Sequence, residues 1–443
     1  MNISSVLDKP FKFLGSEITG ENNSTEMFES IKSKLEDKLN NVNNSTLRGE
    51  HKLKIYSRYT LSSMRYYLSV HHINKTHMSK LDDVARKYLK LWLSIQTRGV
   101  TCASIFHPYM LNVKSPSQLY KEAHAGNYAM MRSKGDEVVN HMLDSRLERE
   151  SGWAKKFSTT SHMHTLWQEN IENGQLQETH KDEPYEVKKR KVQVAKKAMQ
   201  KSIKQETLEC WNEKVRKLTF QGSFMDLLIE EKENVTWQSI ASNVPKGVLS
   251  FALKATVNGL NTPDNLVRWG KRKLNRCDLC GNRSDLMHVL NWCPVALKEG
   301  RFTWRHNSVL NYMLQEMLKV NLSETTINAD LDGFTINGST IPADILSTGA
   351  RPDLVLLNRK EKKIELLELT CNFETNREAA HQSNLRKYLD IQEDLESTGW
   401  NVKLITFEIG CCGHITKHIK ASITDGFKRN HIYIKHNNLF KNL

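Results

Sequence analysis

The chain of 443 residues is 39% hydrophobic and strongly basic, with 64 Lys and Arg against 50 Asp and Glu and a formal net charge of +14. This length allows about three domains of ordinary size, and the composition excludes collagen-like, mucin-like and wholly disordered proteins. Such a basic protein favours a polyanionic partner, with nucleic acid the leading candidate and an anionic membrane surface the second. No apolar run reaches about 18 residues, so we expect no membrane span.

The cysteines and the first residues indicate the compartment in which such a protein would act. The opening sequence, MNISSVLDKPFKFLG, contains no apolar signal core, and eight cysteines are too few for a disulfide scaffold. Three of the eight lie within 17 residues and beside a histidine, which suits a metal site in a reducing compartment. We therefore expect the protein in the nucleus or the cytoplasm, and we do not expect it to be secreted.

The first 150 residues are predicted to be mostly helical. Apolar residues recur at helical spacing over 26–42, 53–73 and 77–95. Basic and aromatic side chains alternate along the second and third of these segments, with Arg65 among them. Such a surface could bind a phosphate backbone while its rings stack on bases. The alternative is that the aromatic side chains form the core and the basic side chains are simply solvated.

Residues 151–244 are predicted to form a basic helical linker. The segment 188–204 contains eight basic residues and no acidic ones, and it begins with Lys188, Lys189, Arg190 and Lys191. This helix could contact phosphates or act as a nuclear import signal. A solvated charged arm is an equally open interpretation.

The region 245–325 contains the strongest local motif, Cys-x2-Cys-x7-His-x4-Cys. Three thiols and one imidazole at this short spacing can surround Zn²⁺ tetrahedrally, and the predicted ligands are Cys277, Cys280, His288 and Cys293. Since protein fills all four positions, we expect a structural zinc rather than a catalytic one. Basic residues flank the motif as candidates to contact nucleic acid, and they are Arg268, Lys271, Arg272, Arg276 and Arg305.

Residues 326–443 are predicted to form an α/β segment. Short apolar runs separated by turns predict strands at 334–341, 351–358, 362–370 and 400–410. A helical pattern over 378–398 separates the last two of these strands. The expected order is therefore strand, turn, strand, helix, strand.

Two carboxylates of this segment form a candidate catalytic pair. Asp353 begins one predicted strand and Glu368 comes late in the next, so an antiparallel hairpin would make them neighbours. Convergent carboxylates bind Mg²⁺ or Mn²⁺, which can activate water against a phosphodiester. A lysine usually orients that water, but the position two after Glu368 is Thr370, and the following helix offers Lys387 instead. The alternative is a solvated hairpin.

Together these segments resemble one known arrangement. FKFLGSEITG, RYYLSVHHINKTHMSKLDDVARKYLKLWLSI, the Cys/His motif, RPDLVLLN, LLELT and FEIGCCGHI are similar, in this order, to the C-terminal part of non-LTR retrotransposon polyproteins that carry a restriction-like endonuclease. The resemblance covers almost the whole chain. It implies an α+β multidomain protein with a helical reverse-transcriptase thumb, a linker, a small zinc knuckle and an α/β nuclease of the PD-(D/E)xK type. These parts correspond to 1–150, 151–244, 245–325 and 326–443.

The resemblance also implies an activity and its partners. The expected reaction is nicking of one DNA strand by Asp353 and Glu368 with Mg²⁺ or Mn²⁺, with Lys387 orienting the water. The expected partners are DNA and retroelement RNA, with no membrane and no small-molecule substrate. No Tyr-x-Asp-Asp motif occurs, so we expect no polymerase activity and a truncated element. The family has a basic residue four positions before a helix tyrosine, where this chain has Asn384 before Tyr388. The alternative function is therefore a catalytically dead remnant that binds nucleic acid.

Overall fold

The protein is an α+β protein whose internal contacts divide it into two compact units. The computed structural model describes residues 11–13, 16–18, 24–96, 99–150, 158–177, 182–219, 244–319, 324–334 and 339–413, with the single residues 222, 225, 237 and 241. The helices up to Arg216 belong to the first unit, and the Cys/His motif and a four-stranded sheet belong to the second. The domain boundaries predicted at 150 and 325 both fall inside a unit.

The first unit is built from helices, which follow a short antiparallel pair of strands. The elements are β1 (Phe11–Phe13), β2 (Ser16–Ile18), α1 (Ser24–Asn43), α2 (Gly49–Ile55), α3 (Leu61–Val70), α4 (Lys75–Trp92), α5 (Ala103–Phe106), α6 (Pro116–Arg132), α7 (Glu137–Arg149), α8 (Thr159–Glu172) and α9 (Tyr185–Arg216). The helices predicted over 26–42, 53–73, 77–95 and 188–204 are confirmed, and a π-helical turn at Tyr56–Thr60 joins α2 to α3. Among the described residues, no helix is both long and apolar enough to cross a membrane.

Residue spacing and capping explain why these helices form where they do. Helix α1 buries Phe28, Ile31 and Leu35, which recur every three or four residues and so form one apolar stripe. Helix α6 begins at a clear signal, because the Ser115 side chain accepts a backbone N–H of the first turn and Pro116 occupies the first helical position.

The aromatic side chains of the first unit are divided between core and surface. Tyr56 is fully buried, and its hydroxyl donates to the backbone carbonyl of Lys114 at 3.1 Å. Trp92 is also buried, whereas Tyr59 is 69% exposed. The core interpretation therefore holds for Tyr56 and Trp92, whereas the exposed ring of Tyr59 is accessible to a partner.

The basic segment 188–204 lies within the long helix α9. This helix buries a narrow stripe of Ala195, Met199 and Ile203, spaced four residues apart, against side chains of α6 and α8. Its basic residues lie outside this stripe. The segment is therefore a packed helix with a cationic outer face rather than a detached arm.

The second unit combines short helices with the sheet. Helix α10 (Lys246–Ala255) is divided between the two units after Ser250. The elements that follow in the second unit are α11 (Pro263–Arg268), a π-helical turn (His288–Trp292), α12 (Pro294–Lys298), α13 (Arg301–Leu318), β3 (Thr326–Ala329), β4 (Leu354–Asn358), β5 (Lys363–Asn372), α14 (Arg377–Lys387), α15 (Leu389–Ser397) and β6 (Asn401–Gly410). The strands are ordered β3-β4-β5-β6, antiparallel from β3 to β5 and parallel between β5 and β6.

Most of the secondary structure predicted for this unit is confirmed, with one error. Strands occur within 351–358 and 400–410, a third covers most of 362–370, and the predicted helix is present but breaks at Tyr388. The strand predicted at 334–341 is wrong for its described residues, because Phe334 lies in a turn and β3 pairs with β4 instead. Residues 335–338 lie outside the described part of the chain.

Apolar layers cover both faces of the sheet. One layer joins α13 to the strands through Leu310, Met313, Leu314, Met317, Leu354, Leu356, Leu367 and Leu369. The other layer includes Val355, Leu357, Ile364, Leu366 and, from α15, Leu395. Because a sheet covered on both faces has an apolar interior, a charged pair of residues on adjacent strands needs a special reason. Asp353 and Glu368 are such a pair.

Candidate metal centre and carboxylate site

A tight hairpin brings the first two cysteines of the motif together. Arg276 and Arg283 form an isolated antiparallel bridge, and the N–H of Cys277 donates to the carbonyl of Asn282 at 2.7 Å. Gly281 closes the turn with a φ of +75°, a conformation that side chains rarely adopt, and its N–H donates to the carbonyl of Cys277 at 3.0 Å.

Of the other two ligands, His288 begins the π-helical turn that follows and Cys293 comes directly after that turn. The side chain of Asp285 accepts the N–H of His288 at 2.8 Å and so holds the start of this turn. The ligand atoms of Cys277, Cys280, His288 and Cys293 all lie within 4.8 Å of one another.

The distances between these atoms match a tetrahedral zinc site. The sulfurs of Cys277 and Cys293 are 3.9 Å apart, and Cys280 Sγ lies 3.3 Å from His288 Nε2. Zinc–thiolate bonds of about 2.3 Å in a tetrahedron separate neighbouring sulfurs by about 3.8 Å. The cluster could therefore hold a zinc ion with little movement.

The electrostatic environment also favours a bound cation. Burial alone would raise the pKa of Cys277, but the N–H groups of Cys280 and Leu279, together with His288, lower it to about 6. A thiol with this pKa is mostly ionised at neutral pH, and the thiolate is the form that binds metal. The metal ligands predicted from the spacing thus lie together in a suitable geometry.

A second group of potential ligands lies at the end of β6 and is less suited to zinc. Glu374, Cys411 and Cys412 offer atoms within 4.8 Å of one another. Glu374 accepts the N–H of Cys412 at 2.7 Å, and the neighbouring Cys411 thiol and burial raise the pKa of the Cys412 thiol. A neutral thiol is a poor metal ligand, so the motif at 277–293 is the better metal centre.

Arg305, in the second turn of α13, links the Cys/His motif to the sheet. Its guanidinium donates to the carbonyl of Leu290 and the side chain of Asn291, both at 2.8 Å, and to the carbonyl of Cys371 at 3.3 Å. Asn291 donates to the same Cys371 carbonyl at 3.1 Å. Arg305 was expected to contact nucleic acid, but its guanidinium is hydrogen-bonded to other residues of the second unit.

The strand register brings the two predicted catalytic carboxylates side by side. Leu354 on β4 pairs with Leu367 on β5. In this antiparallel register Asp353, one residue before Leu354, lies opposite Glu368, one residue after Leu367. The backbone N–H of Leu369 donates to Asp353 Oδ2 at 2.6 Å, which fixes the orientation of that carboxylate. Both side chains are buried, with 7% and 8% exposure respectively.

His306, next to Arg305 on α13, holds Asp353 from the other side. Its Nε2 lies 3.0 Å from the carbonyl of Leu369 and 3.3 Å from Asp353 Oδ2. Burial would lower the pKa of His306, but the hydrogen bond and charge of Asp353 outweigh it and raise the pKa to about 9. The imidazole is therefore a cationic donor at neutral pH. The role of His306 is not evident from the sequence, since His306 lies far from Asp353 along the chain.

Glu368 is held by the break between α14 and α15. Lys387 Nζ donates to Glu368 Oε1 at 2.7 Å, and the Tyr388 hydroxyl donates to Oε2 at 2.7 Å. Burial and the charge of Glu368 raise the pKa of Tyr388, so its hydroxyl stays protonated as a donor. The structure thus brings Lys387 to the carboxylate pair, as its position on the helix suggested, and adds Tyr388, whose role the sequence did not indicate.

The two positions at which the resemblance leads us to expect a lysine hold neutral residues that contact each other. The Asn384 side chain donates to Thr370 Oγ1 at 2.8 Å. Thr370 is two residues after Glu368, and Asn384 is four before Tyr388. Among the described residues, Lys387 is the one cationic side chain within hydrogen-bonding distance of Glu368.

The electrostatic environment of the carboxylate pair disfavours the ionised form of Glu368. Burial and the negative charge of Asp353 raise the pKa of Glu368, and the bonds from Lys387 and Tyr388 only partly offset this effect. Two buried carboxylates that repel each other are stabilised when a cation lies between them. Carboxylate oxygens are also the ligands that Mg²⁺ and Mn²⁺ prefer.

The basic residues predicted to contact nucleic acid differ in their exposure. Those with exposed side chains are Arg65, Lys189, Arg190, Arg268, Lys271 and Arg276. Those that are partly buried are Lys188, Lys191, Arg272 and Arg305. Lys191 pairs with Glu183 and Arg272 with Asp278, each at 2.6 Å. The exposed group is the better source of phosphate contacts.

Comparison with known proteins does not assign the chain to a family. The sequence matches no protein-family model, and it has no significant match among curated proteins.

Zinc content tests the metal centre directly. We expect the purified wild-type protein to contain about one zinc per chain. Cys280→Ser and His288→Ala should lose it, because each removes one of four ligands. Cys210→Ser is the matched control, since Cys210 is exposed and lies outside both clusters. Elemental analysis of the purified proteins checks this, and retention of zinc by Cys280→Ser would contradict the assignment.

Thermal unfolding tests the repulsion between the carboxylates. An acid whose pKa is raised on folding destabilises the folded state once it is ionised, and that cost disappears below its unfolded pKa of about 4.3. Without added Mg²⁺ or Mn²⁺, Glu368→Gln should therefore melt higher than wild type at neutral pH. The difference should shrink as the pH falls through the raised pKa of Glu368.

The exposed Glu393 provides the matched control for this measurement. Glu393→Gln should melt like wild type, and added Mn²⁺ should stabilise wild type but not Glu368→Gln. A lower melting temperature for Glu368→Gln at neutral pH would show that the bonds to Lys387 and Tyr388 outweigh the repulsion.

Proposed function

We propose that the second unit is a metal-dependent DNA endonuclease that nicks one strand, supported by a structural zinc. One observation carries this proposal: Asp353 and Glu368 are adjacent in the β4–β5 ladder, and Lys387 bonds to Glu368 at 2.7 Å. Two carboxylates can hold a divalent cation for hydrolysis of a phosphodiester, and a neighbouring lysine can orient the attacking water. The resemblance to restriction-like endonucleases of non-LTR retrotransposons points to the same reaction.

The residues around the pair have separate roles in this proposal. Asp353 and Glu368 would hold Mg²⁺ or Mn²⁺, which when bound supplies charge neutralisation and an activated water. The N–H of Leu369 and the cationic His306 both contact Oδ2 of Asp353 and would leave Oδ1 for the cation. Lys387 lies where its ammonium can orient the attacking water or neutralise the phosphate, and Tyr388 fixes Glu368 by hydrogen bonding.

The zinc module would act through α13 in this account. Arg305 joins the carbonyl of Leu290, next to the zinc ligand His288, to the carbonyl of Cys371 on β5. The next residue, His306, bonds to Asp353. Zinc loading would therefore support the carboxylate site as well as the exposed basic residues that flank the motif.

A catalytically dead nucleic-acid-binding protein is the second candidate. It is favoured by the neutral contact between Asn384 and Thr370, which occupies both usual lysine positions. In this case the zinc module and the basic helices would bind DNA or retroelement RNA in the nucleus or cytoplasm without cutting. The carboxylate pair would then be a vestige of the fold.

Nicking of supercoiled plasmid distinguishes the two candidates. With zinc-loaded protein and added Mg²⁺ or Mn²⁺, we expect conversion to the open-circular form. Asp353→Asn and Glu368→Gln should abolish it, and Lys387→Ala should reduce it by roughly a hundredfold or more, as for the loss of a group that stabilises the transition state. Lys360→Ala is the control, because Lys360 is exposed and pairs with Glu324 away from the carboxylates.

Two results would overturn the endonuclease proposal. Nicking that is equal in wild type and Asp353→Asn would come from a contaminant. Absence of nicking in folded, zinc-loaded protein that still binds DNA would establish the second candidate, and Asn384→Lys would then test whether a lysine at the usual position restores cleavage.

A further inference from the structure

A polar cleft of about 420 Å³ opens between α3, α6 and α9 in the first unit. Its walls carry Arg65 and Tyr66 from α3, Asn127 from α6, and Lys196 and Gln200 from α9. The lining is cationic and rich in hydrogen-bond donors, whereas pockets for small apolar ligands are lined mainly by hydrophobic side chains. The chemistry of the cleft therefore suits an anion.

The two cations of the cleft have no acidic partner among the described residues. Two nearby basic residues are paired: Lys114, just before α6, lies 2.6 Å from Glu122, and Arg132 of α6 bonds to Asp144. Neither Arg65 nor Lys196 forms an ion pair or a hydrogen bond within the described part of the chain. Two unpaired cations facing one cleft repel each other, and a bound phosphate relieves that repulsion.

The floor of the cleft allows close approach of a polymer chain. It is formed by the small residues Ala123 and Gly126 of α6. A Cβ added at Gly126 would meet no atom within 4 Å, so the space above it is open. A ligand group can therefore approach α6 closely at Gly126.

Aromatic rings accompany the cations and indicate the type of strand. Tyr66 lines the cleft, and Tyr59, 69% exposed, lies in the π-helical turn just before α3. Proteins that bind single strands combine a cationic groove for the backbone with rings on which unpaired bases stack. Bases in a duplex are stacked on each other and are not available to such rings.

We infer that this cleft binds single-stranded nucleic acid, with phosphates on Arg65 and Lys196 and a base on Tyr66. The site lies wholly in the first unit and does not depend on the carboxylate pair. It adds a place for a single strand to a protein whose proposed reaction concerns duplex DNA. The exposed basic face of α9 continues from Lys196 and extends the path of the strand.

Fluorescence anisotropy with labelled strands tests the inference. The full-length, zinc-loaded protein is titrated without added Mg²⁺ or Mn²⁺, so that cleavage does not enter the measurement. We expect the double variant Arg65→Glu/Lys196→Glu to bind a single strand at least about tenfold more weakly, and its salt dependence to be shallower by about 0.7 per lost phosphate contact. Tyr66→Ala should weaken the single strand more than a duplex of the same length.

Lys134→Glu is the matched control, because Lys134 is an exposed lysine just after α6 that does not line the cleft. It should change affinity by less than about threefold. An equal loss with Lys134→Glu would show that only net charge matters and would overturn the inference. Where charge reversal unfolds the protein, Arg65→Gln and Lys196→Gln with circular dichroism provide the same test.

Two further measurements distinguish a single strand from a duplex and from free phosphate as the ligand of the cleft. Tighter binding of duplex than of single strand, with no effect of Tyr66→Ala, would overturn the assignment to single strands. Loss of strand binding on addition of inorganic phosphate, at an ionic strength matched with chloride, would instead assign a site for a small free phosphate. Persistence of binding under those conditions is the result that we expect.

Discussion

The packing of the Cys/His motif and α13 against the sheet depends on hydrogen bonds to the backbone carbonyl of Cys371. This carbonyl lies on β5, three residues after Glu368, and accepts hydrogen bonds from both Arg305 and Asn291. Arg305 also bonds to the carbonyl of Leu290, so one guanidinium joins the Cys/His motif, α13 and the sheet. A planar guanidinium with several fixed donors suits this role better than lysine would. The orientation of α13 on the sheet follows from this contact and from the apolar layer beneath it.

This arrangement makes the metal centre and the carboxylate pair parts of one structure. The hairpin at 275–284 is short and has little apolar core of its own, so zinc binding would supply much of its folding energy. Leu290 and Asn291 follow the ligand His288 within the same π-helical turn. Because Arg305 depends on that turn and His306 adjoins Arg305, the support of Asp353 is expected to depend on the folded zinc module. Burial and the charge of Asp353 raise the pKa of Glu368, so the ionised form of this side chain is disfavoured in the folded protein.

The parts that were predictable from sequence are those encoded by local spacing. The zinc ligands lie within 17 residues, and the Asp353–Glu368 pair follows from a single hairpin. The contacts of His306 and Tyr388 were not predictable, because they join segments whose approach depends on how helices pack on the sheet. Arg305 was assigned to nucleic acid from its charge and position, but packing commits it to backbone carbonyls.

The error at 334–341 has a related cause, since a run of alternating residues does not reveal which strand it pairs with. The four residues TINA of β3 carry little apolar signal, yet their backbone pairs with the outer edge of β4. Similarly, a cationic helix pattern did not distinguish a free arm from α9, where Ala195, Met199 and Ile203 hold the helix against its neighbours.

The most direct test of the account is anomalous diffraction from crystals grown with Mn²⁺. The account predicts a zinc peak among Cys277, Cys280, His288 and Cys293, and a manganese peak between Asp353 and Glu368. The manganese peak should be absent from crystals of Asp353→Asn while the zinc peak remains. Wild-type crystals with zinc at its site and no manganese between the two carboxylates would contradict the proposal that they form a cation site.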